Sequence, residues 1–183
     1  MRKSATNLYN LLENLLEWSR MQQGLVPFTP ETIQLHKLVE TIIPVATEPA
    51  KIKEIEVAFD IPGDISVFAD SNMLQSVLRN LVSNAIKFTL IGGRVNVSAK
   101  TTGDNSVEFS IEDTGIGMSP SMVDNLFQLD VQTNRKGTEG EPSSGLGLFL
   151  CNEFVEKHGG KLWVESEEGI GSTIRFTLPV QNL

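Results

Sequence analysis

The chain has 183 residues, of which 40% are hydrophobic and 21% are charged, and this is enough apolar material for one sizeable core with an appendage. Its formal net charge of -8 excludes a surface for nucleic acids, because binding to their phosphate backbone requires clustered Lys and Arg. Its single cysteine, Cys151, excludes an internal disulfide. The sequence contains no pattern of a signal peptide and no apolar run of about 20 residues, so the chain is expected to be cytoplasmic. This expectation holds whether or not a parent protein is membrane-anchored.

The first element is a strongly amphipathic helix, predicted from Asn7 to Met21. Its apolar stripe comprises Leu8, Leu11, Leu12, Leu15, Leu16 and Trp18. Such a stripe fits a helix packed on its own domain, but Pro27 and Pro30 indicate a linker and favour one half of a helical hairpin that pairs with a missing helix or a second chain. We therefore expect two parts, the hairpin helix at residues 1–26 and the main domain at residues 27–183.

The segments after the linker alternate between strand and helix patterns. The predicted elements are a short strand over residues 31–35, a helix over 38–53 made irregular by Pro44 and Pro49, a strand over 55–59 and a strand over 67–69. The turn at Pro62-Gly63-Asp64 suggests that the last two strands form a hairpin.

Residues 71–89 predict a helix with two distinct faces. Its apolar arc contains Leu74, Val77, Leu78, Leu81, Ala85 and Phe88. Beside this arc, Asn80, Asn84 and Lys87 form a polar stripe. Asparagine costs up to ~0.7 kcal/mol relative to alanine inside a helix, so two of them beside the core need an explanation. The stripe is either a solvated side of the helix or part of a binding site.

A carboxylate on the core face of a strand is the second notable feature. Residues 95–99 and 107–111 alternate as a hairpin around a turn at 102–105. Counting on by two from Ile111 places Asp113 on the same face as the core residues. Because an unpartnered buried carboxylate costs roughly several kcal/mol, Asp113 is a candidate functional residue.

The rest of the chain combines a long loop with a glycine-rich helix start. The predicted elements are a short helix from Ser119-Pro120 to about Phe127, a long mobile loop over 128–144, a helix that opens at Gly145 and ends at His158-Gly159-Gly160, and two strands over 161–165 and 173–178. Taken alone, the glycines at 145 and 147 most often indicate a tight turn.

Four motifs in this order resemble the ATP-binding domain of sensor histidine kinases, in the superfamily shared with gyrase B, heat-shock chaperones of the same fold and mismatch-repair ATPases. They are the N box at Leu81–Thr89, the G1 box at Asp113–Gly117, the F box at Leu126–Phe127 and the G2 box at Gly145–Leu148. The resemblance covers residues 74–179. It implies a two-layer α/β (α+β) sandwich, in which helices cover one face of a mixed, mostly antiparallel sheet.

The resemblance also implies a site for ATP and Mg²⁺. The implied ATP-binding residues are Asn80, Asn84, Lys87, Phe88, Asp113, Gly115, Gly117, Gly145, Leu146, Gly147, Leu148 and Thr173. Asp113 would accept a hydrogen bond from the adenine amine, and Asn84 would bind Mg²⁺. Lys87 would neutralise phosphate charge, and residues 128–144 would close as a lid.

The same resemblance favours transfer of the phosphoryl group to a protein side chain over hydrolysis of ATP. In the ATPase branches, a glutamate that activates water stands where this chain has Asn80, which cannot act as a general base at neutral pH. A protein-histidine kinase is therefore expected, and it transfers the γ-phosphoryl group to a histidine on a dimerisation hairpin. His36 and His158 both have structural contexts, so we expect the acceptor to be absent and identify no catalytic residue here.

The implied partners are the dimerisation domain of the same or a partner chain, within a parent homodimer, and the receiver domain of a response regulator. One alternative is a non-catalytic module that uses ATP only to order the lid. A second takes Asp113-Thr114-Gly115 as the catalytic triplet of an aspartic protease. That alternative leaves the asparagine helix and the Gly145 region without a role.

Overall fold

The computed structural model describes residues 27–127, 135–141 and 145–180, together with residues 12, 16, 19, 23 and 24. The helices in this part of the chain are α1 (Leu35–Ile52), α2 (Ser71–Phe88), α3 (Pro120–Asp124) and α4 (Leu146–Lys157). The strands are β1 (Glu31–Gln34), β2 (Glu56–Asp60), β3 (Ser66–Ala69), β4 (Arg94–Thr101), β5 (Ser106–Asp113), β6 (Leu162–Glu167) and β7 (Gly171–Pro179). None of these helices is both long and apolar enough to cross a lipid bilayer.

The main sheet has five strands in the order β2-β4-β5-β7-β6, and a separate two-stranded sheet pairs β1 with β3. In the main sheet β2 and β4 are parallel and the other neighbours are antiparallel. Helices α1, α2 and α4 pack on the sheet. Alternation along β5 buries Val107, Phe109 and Ile111, and the Phe109 ring stacks on Phe176 with centroids 4.4 Å apart. The mixed, mostly antiparallel α/β sandwich expected from the sequence is confirmed.

The asparagine helix has the predicted length and faces. Asp70 caps its start, because the carboxylate accepts hydrogen bonds from the backbone N–H groups of Asn72 and Met73 at 3.0 and 3.1 Å. The predicted apolar arc is buried except for Phe88, which is half-buried. The helix therefore lies with its apolar side on the sheet and its polar stripe at the edge of the core.

The predicted hairpin between residues 55–59 and 67–69 is wrong. Strand β3 pairs with β1, where Val67 faces Ile33, and β2 instead runs parallel to β4, where Val57 faces Val95. The turn after β2 does form, since the Ile65 N–H donates to the Pro62 carbonyl. A turn signal predicts a change of direction but not a strand partner, which depends here on segments distant in the sequence.

Helix α1 begins at Leu35, three residues before the predicted start, and continues through both prolines. Pro44 and Pro49 are exposed, whereas Leu38 and Ile42 point into the core. The carbonyls that lose their N–H partners therefore face the solvent side, where water can bond to them.

Other boundaries differ from the predictions by a few residues. Helix α3 ends at Asp124, before the predicted end at Phe127, and Ser119 makes no capping hydrogen bond with its side chain. The predicted helix from Asn7 to Met21 lies mostly outside the described residues. Leu12 and Leu16, which are described, are helical and exposed.

Candidate functional site

The polar stripe of α2 lies at the edge of the helical layer. Asn80, Asn84 and Lys87 are all half-buried. The Asn80 amide donates to the Ser76 carbonyl at 3.1 Å within the helix. The Asn84 side chain makes no hydrogen bond with any residue that the structure describes. Its amide oxygen and nitrogen are thus available to a ligand on this side of the helix.

Asp113 stands at the end of β5, with only 8% of its surface exposed. Its Oδ1 accepts a hydrogen bond from the Gly115 N–H at 2.8 Å. Burial raises the pKa of Asp113 to about 6, although backbone hydrogen bonds from Gly115 and Ser172 act against this shift. The predicted inward orientation is confirmed. A carboxylate held this way accepts hydrogen bonds from donors and repels acceptors.

The glycines of the G1 box follow Asp113 and lie against two elements, Gly115 against the end of α2 and Gly117 against the end of β6. A Cβ at Gly115 would lie 2.4 Å from the Phe88 carbonyl oxygen, and one at Gly117 would lie 1.9 Å from the Glu167 carbonyl oxygen. The Ile116 N–H donates to the Phe88 carbonyl at 3.0 Å. The close approach that these glycines permit is thus made by the protein's own backbone. This approach brings the Asp113 end of β5 next to the last turn of α2.

Helix α4 starts against the polar stripe. Gly145 precedes it with a left-handed φ of +71°. A Cβ at Gly147 would lie 2.9 Å from the Asn80 Oδ1, so a side chain there would crowd the amide. Leu146 and Leu148 are half-buried, and Leu148 packs against the core. The free N–H groups of this helix start therefore lie near the Asn80 amide of α2, and such groups suit an anion.

Residues 135–141, which we call the lid root, belong to the loop between α3 and α4. The Thr138 N–H donates to the Lys87 carbonyl at 3.1 Å, and the Arg135 guanidinium donates to the Gly117 carbonyl at 2.8 Å. The sequence predicts a loop without regular secondary structure here, and residues 135–141 contain neither helix nor strand. The contacts of this segment with the main domain were not predicted. They hold the lid root beside both ends of the candidate site.

Lys87 lies between the lid root and Phe88. Burial lowers the pKa of Lys87, and the nearby Glu141 carboxylate acts in the opposite direction. The Lys87 Nζ lies 5.2 Å from the centre of the Phe88 ring. This cation is therefore partly desolvated, which strengthens its interaction with an anion.

Thr173 is not brought to the site. It pairs with Glu112 across β5 and β7, which places it on the opposite face of the sheet from Asp113. Ser172 is the residue opposite Asp113. The alternation of β7 could have predicted that Ser172, and not Thr173, lies on the face of Asp113, since Ile174 is a core residue and Ser172 shares its face.

Sequence reasoning also missed Lys53, whose buried ammonium contacts the lid root.

Comparison with known proteins gives one consistent result. The family model of histidine kinase-, DNA gyrase B-, and HSP90-like ATPases matches residues 69–182. The adaptive-response sensory kinase SasA of Synechococcus elongatus is 31% identical over 180 residues, which cover 98% of this chain and 46% of that protein. SasA of Prochlorococcus marinus (strain AS9601) is 37% identical over 154 residues, covering 84% of this chain and 41% of that protein. This chain thus spans less than half the length of these relatives.

Two solved structures resemble the fold closely. Full-length ShkA, in complex with AMPPNP, has a TM-score of 0.80 and 28% identity, covering 97% of this chain and 37% of that one. The nucleotide-free catalytic domain of the histidine kinase ThkA has a TM-score of 0.71 and 28% identity, covering 84% of this chain and 96% of that one. The four ordered motifs, the sheet order and these matches agree, and the chain belongs to the family of histidine kinase-, DNA gyrase B-, and HSP90-like ATPases, as a histidine kinase ATPase domain.

Proposed function

We propose that this domain binds Mg²⁺-ATP and transfers its γ-phosphoryl group to a histidine outside this chain. The observation that carries the proposal is the convergence of Asp113, the polar stripe of α2 and the start of α4 around the last turns of one helix. A buried acceptor lies at one end of this arrangement. Amide, ammonium and free N–H groups lie at the other.

Asp113 is the proposed adenine contact. Its carboxylate only accepts hydrogen bonds when ionised, so it matches the exocyclic amine of adenine and disfavours guanine, which presents an oxygen at that position. Phe88 lies at the end of α2 that contacts Gly115 and Ile116. It supplies an apolar ring surface beside this contact.

The phosphate end is assigned to Lys87 and the start of α4. Gly145 to Leu148 present backbone N–H groups at the positive end of the helix dipole. Lys87 adds a full positive charge, which this chain needs locally because its net charge is -8. Asn80 lies within reach of the same helix start.

Asn84 fits the role of a magnesium ligand. Its amide is half-buried and makes no hydrogen bond to the described residues, and an amide oxygen is a hard neutral donor of the kind that Mg²⁺ accepts. When bound, the ion neutralises charge on the phosphate oxygens. The task of the chain is then to hold that oxygen donor in place on a rigid helix.

Transfer to a protein side chain is favoured over hydrolysis by Asn80 and by the two histidines. An amide at position 80 cannot take a proton from water. The His158 Nε2 accepts from the Asp70 N–H at 2.9 Å, and its Nδ1 lies 2.6 Å from the Phe154 carbonyl, so both nitrogens are engaged. His36 lies 3.4 Å from Glu40 on the exposed side of α1, away from the proposed site.

The proposed partners follow from family membership. They are a dimerisation hairpin with the acceptor histidine, within a homodimeric parent, and the receiver domain of a response regulator. The aspartic protease alternative loses its basis, because the Asp113 region belongs to an ATPase domain. The non-catalytic ATP-binding module remains the alternative to test.

The test is a transfer assay with radiolabelled Mg²⁺-ATP. The chain is incubated alone, with a separately supplied dimerisation hairpin, and with the same hairpin whose acceptor histidine is replaced by glutamine. We expect acid-labile label on the intact hairpin only. Label on His36 or His158 of this chain would contradict the missing acceptor. ATP binding without transfer to any histidine would favour the non-catalytic module.

A further inference from the structure

Lys53 is a buried cation that none of the proposed nucleotide contacts uses. It follows the last residue of α1 and is only 5% exposed. Its ammonium lies 2.9 Å from the Ile86 carbonyl, 3.0 Å from the Lys87 carbonyl, 2.6 Å from the Thr138 hydroxyl and 3.3 Å from the Glu141 carboxylate. A buried charge needs such partners, since an unpaired one is costly.

These partners belong to two separate parts of the molecule. Ile86 and Lys87 are in the last turn of α2, where carbonyls lack intrahelical donors and the helix dipole is negative. Thr138 and Glu141 are in the lid root. A single ammonium therefore caps the helix that carries the polar stripe and also binds the loop beside it.

The lid root is packed directly on Lys87. The Thr138 N–H donates to the Lys87 carbonyl, and the Thr138 hydroxyl also bonds to the Thr89 carbonyl at 3.0 Å. A Cβ at Gly137 would lie 2.7 Å from the Lys87 Cγ. The lid root therefore restricts the positions open to the side chain that we assign to the phosphates.

We propose that Lys53 is a positioning residue for the nucleotide site: it fixes the lid root on the last turn of α2 and so holds Lys87 in place before ATP arrives. This inference rests on the proposed function. Lys53 touches neither the adenine contact nor the proposed metal ligand. Its effect should therefore concentrate at the phosphate end of the site.

The main experiment compares Lys53→Met with Lys51→Met. Methionine keeps the length of the apolar stem and removes the charge. Lys51 is a matched control because it is exposed, two residues away, and pairs with Glu48 on the surface of α1. We measure affinities for Mg²⁺-ATP by calorimetry and for adenosine, which has no phosphate, by NMR titration. Circular dichroism checks that each variant is folded.

We expect Lys53→Met to lower Mg²⁺-ATP affinity at least about tenfold while adenosine affinity changes less than about threefold. Lys51→Met should alter neither. Unchanged Mg²⁺-ATP affinity in Lys53→Met would overturn the inference, and so would an equal loss of both ligands, which is what a merely scaffolding residue would produce. A wild-type chain that binds no Mg²⁺-ATP would refute the proposed function and, with it, this role.

A second variant decides the matter if Lys53→Met does not fold. Thr138→Val removes one partner of the ammonium from the lid root, together with the bonds of the hydroxyl itself to the Lys87 and Thr89 carbonyls, and leaves the contacts of the ammonium with Ile86 and Lys87 intact. We expect roughly a threefold loss of Mg²⁺-ATP affinity and no change for adenosine. Equal Mg²⁺-ATP affinity in Thr138→Val and wild type would also overturn the inference.

Discussion

At the scale of single residues, the environment of Asp113 determines what the site can bind. Burial disfavours its ionised form, while the Gly115 and Ser172 backbones favour it, and the balance leaves a pKa of about 6. The carboxylate is therefore ionised at neutral pH and forms no ion pair with any residue that the structure describes, so an incoming donor can complete its hydrogen bonding. The same balance makes binding sensitive to acid.

We predict that adenosine affinity falls as the pH drops through about 6. A protonated Asp113 has lost its charge and turns one oxygen into an O–H donor, so the affinity should fall toward the level expected for an uncharged side chain at this position. NMR titrations from pH 5 to 8 measure this, and adenosine avoids the titration of phosphate. Asp113→Asn should bind more weakly, discriminate less against guanosine and show a flat profile. A flat profile in the wild type would argue against this adenine contact.

The raised pKa of Asp113 also has a consequence for stability. Between the ordinary aspartate pKa of 3.8 and about 6 the folded state binds more protons than the unfolded state, so the contribution of Asp113 to stability is full below that window and is lost as the pH rises through it. His158 acts in the opposite sense. Burial lowers its pKa, so its contribution is full above 6.5 and is lost as the pH falls below that value.

The direction of a side chain could be predicted from the sequence where the alternation of a strand determines it. The parity of β5 predicted that Asp113 points inward, and the structure confirms it. The family resemblance implies Thr173, but the parity of β7 places Ser172 on the face of Asp113. Lys53 was missed because nothing local distinguishes it from the exposed Lys51. Its burial depends on a loop more than 80 residues away.

At the scale of elements, α2 organises the site because both of its ends are fixed. Asp70 caps the first turn and Lys53 caps the last. The Gly115 turn is packed against the Phe88 carbonyl. A helix held at both ends keeps its polar stripe in one position, which is the preorganisation that ligand binding requires.

Asn84→Ala should weaken Mg²⁺-dependent ATP binding about tenfold or more and leave the fold intact. An amide on a half-buried polar stripe contributes little to packing, so the thermal unfolding midpoint should hardly change. Calorimetry with and without Mg²⁺ provides the measurement. Ser83→Ala, the exposed neighbour on the same helix, should bind normally. Equal Mg²⁺-ATP affinity in Asn84→Ala and wild type would remove Asn84 as the metal ligand.

Gly117→Ala should destabilise the domain by roughly 2 kcal/mol or more, because a side chain is strained at this φ of +60° and its Cβ would meet the Glu167 carbonyl. Urea unfolding measures the change. Gly103→Ala is the matched control, since Gly103 lies in a hairpin turn with open space around it. Equal stability of the two variants would mean that this backbone contact is not required.

Local patterns predicted most elements but not all of their partners. The helix over α2 and the hairpin β4-β5 depend on contacts between neighbouring segments, and they match the predictions. Strands β6 and β7 lie close to where two strands were predicted. The β1-β3 and β2-β4 pairs join segments separated by about 30 or more residues, which turn chemistry cannot specify.

At the scale of the whole molecule, residues 28 and 29 are bound to the start of α2 and to the end of α4. The Thr29 N–H and hydroxyl both donate to Asp70, at 3.0 and 3.1 Å. The Phe28 ring meets His158 edge-on, with centroids 4.9 Å apart. The chain is thus tied to the main domain from Phe28 onward, at the cap of α2.

We predict that deleting residues 1–24 leaves Mg²⁺-ATP affinity within about twofold of the intact chain. The proposed contacts lie between Asn80 and Leu148, and the Thr29–Asp70 contact is kept. Self-association in sedimentation experiments should decrease, because the leucine stripe of residues 1–24 is removed. Deleting residues 1–30 should, in contrast, lower the unfolding midpoint. Loss of ATP binding in the shorter deletion would show that the first helix is part of the catalytic domain.

The position of β7 between β5 and β6 has a consequence for synthesis on the ribosome. The central Phe109–Phe176 stack and the whole β5-β7 ladder cannot form until translation has passed residue 179. A nascent chain that ends before Gly171 therefore exposes an unpaired edge of β5 and an incomplete core, which is a state prone to aggregation and chaperone binding. Premature stop codons late in this gene segment should thus remove the folded domain as a whole, although they delete only its last strand.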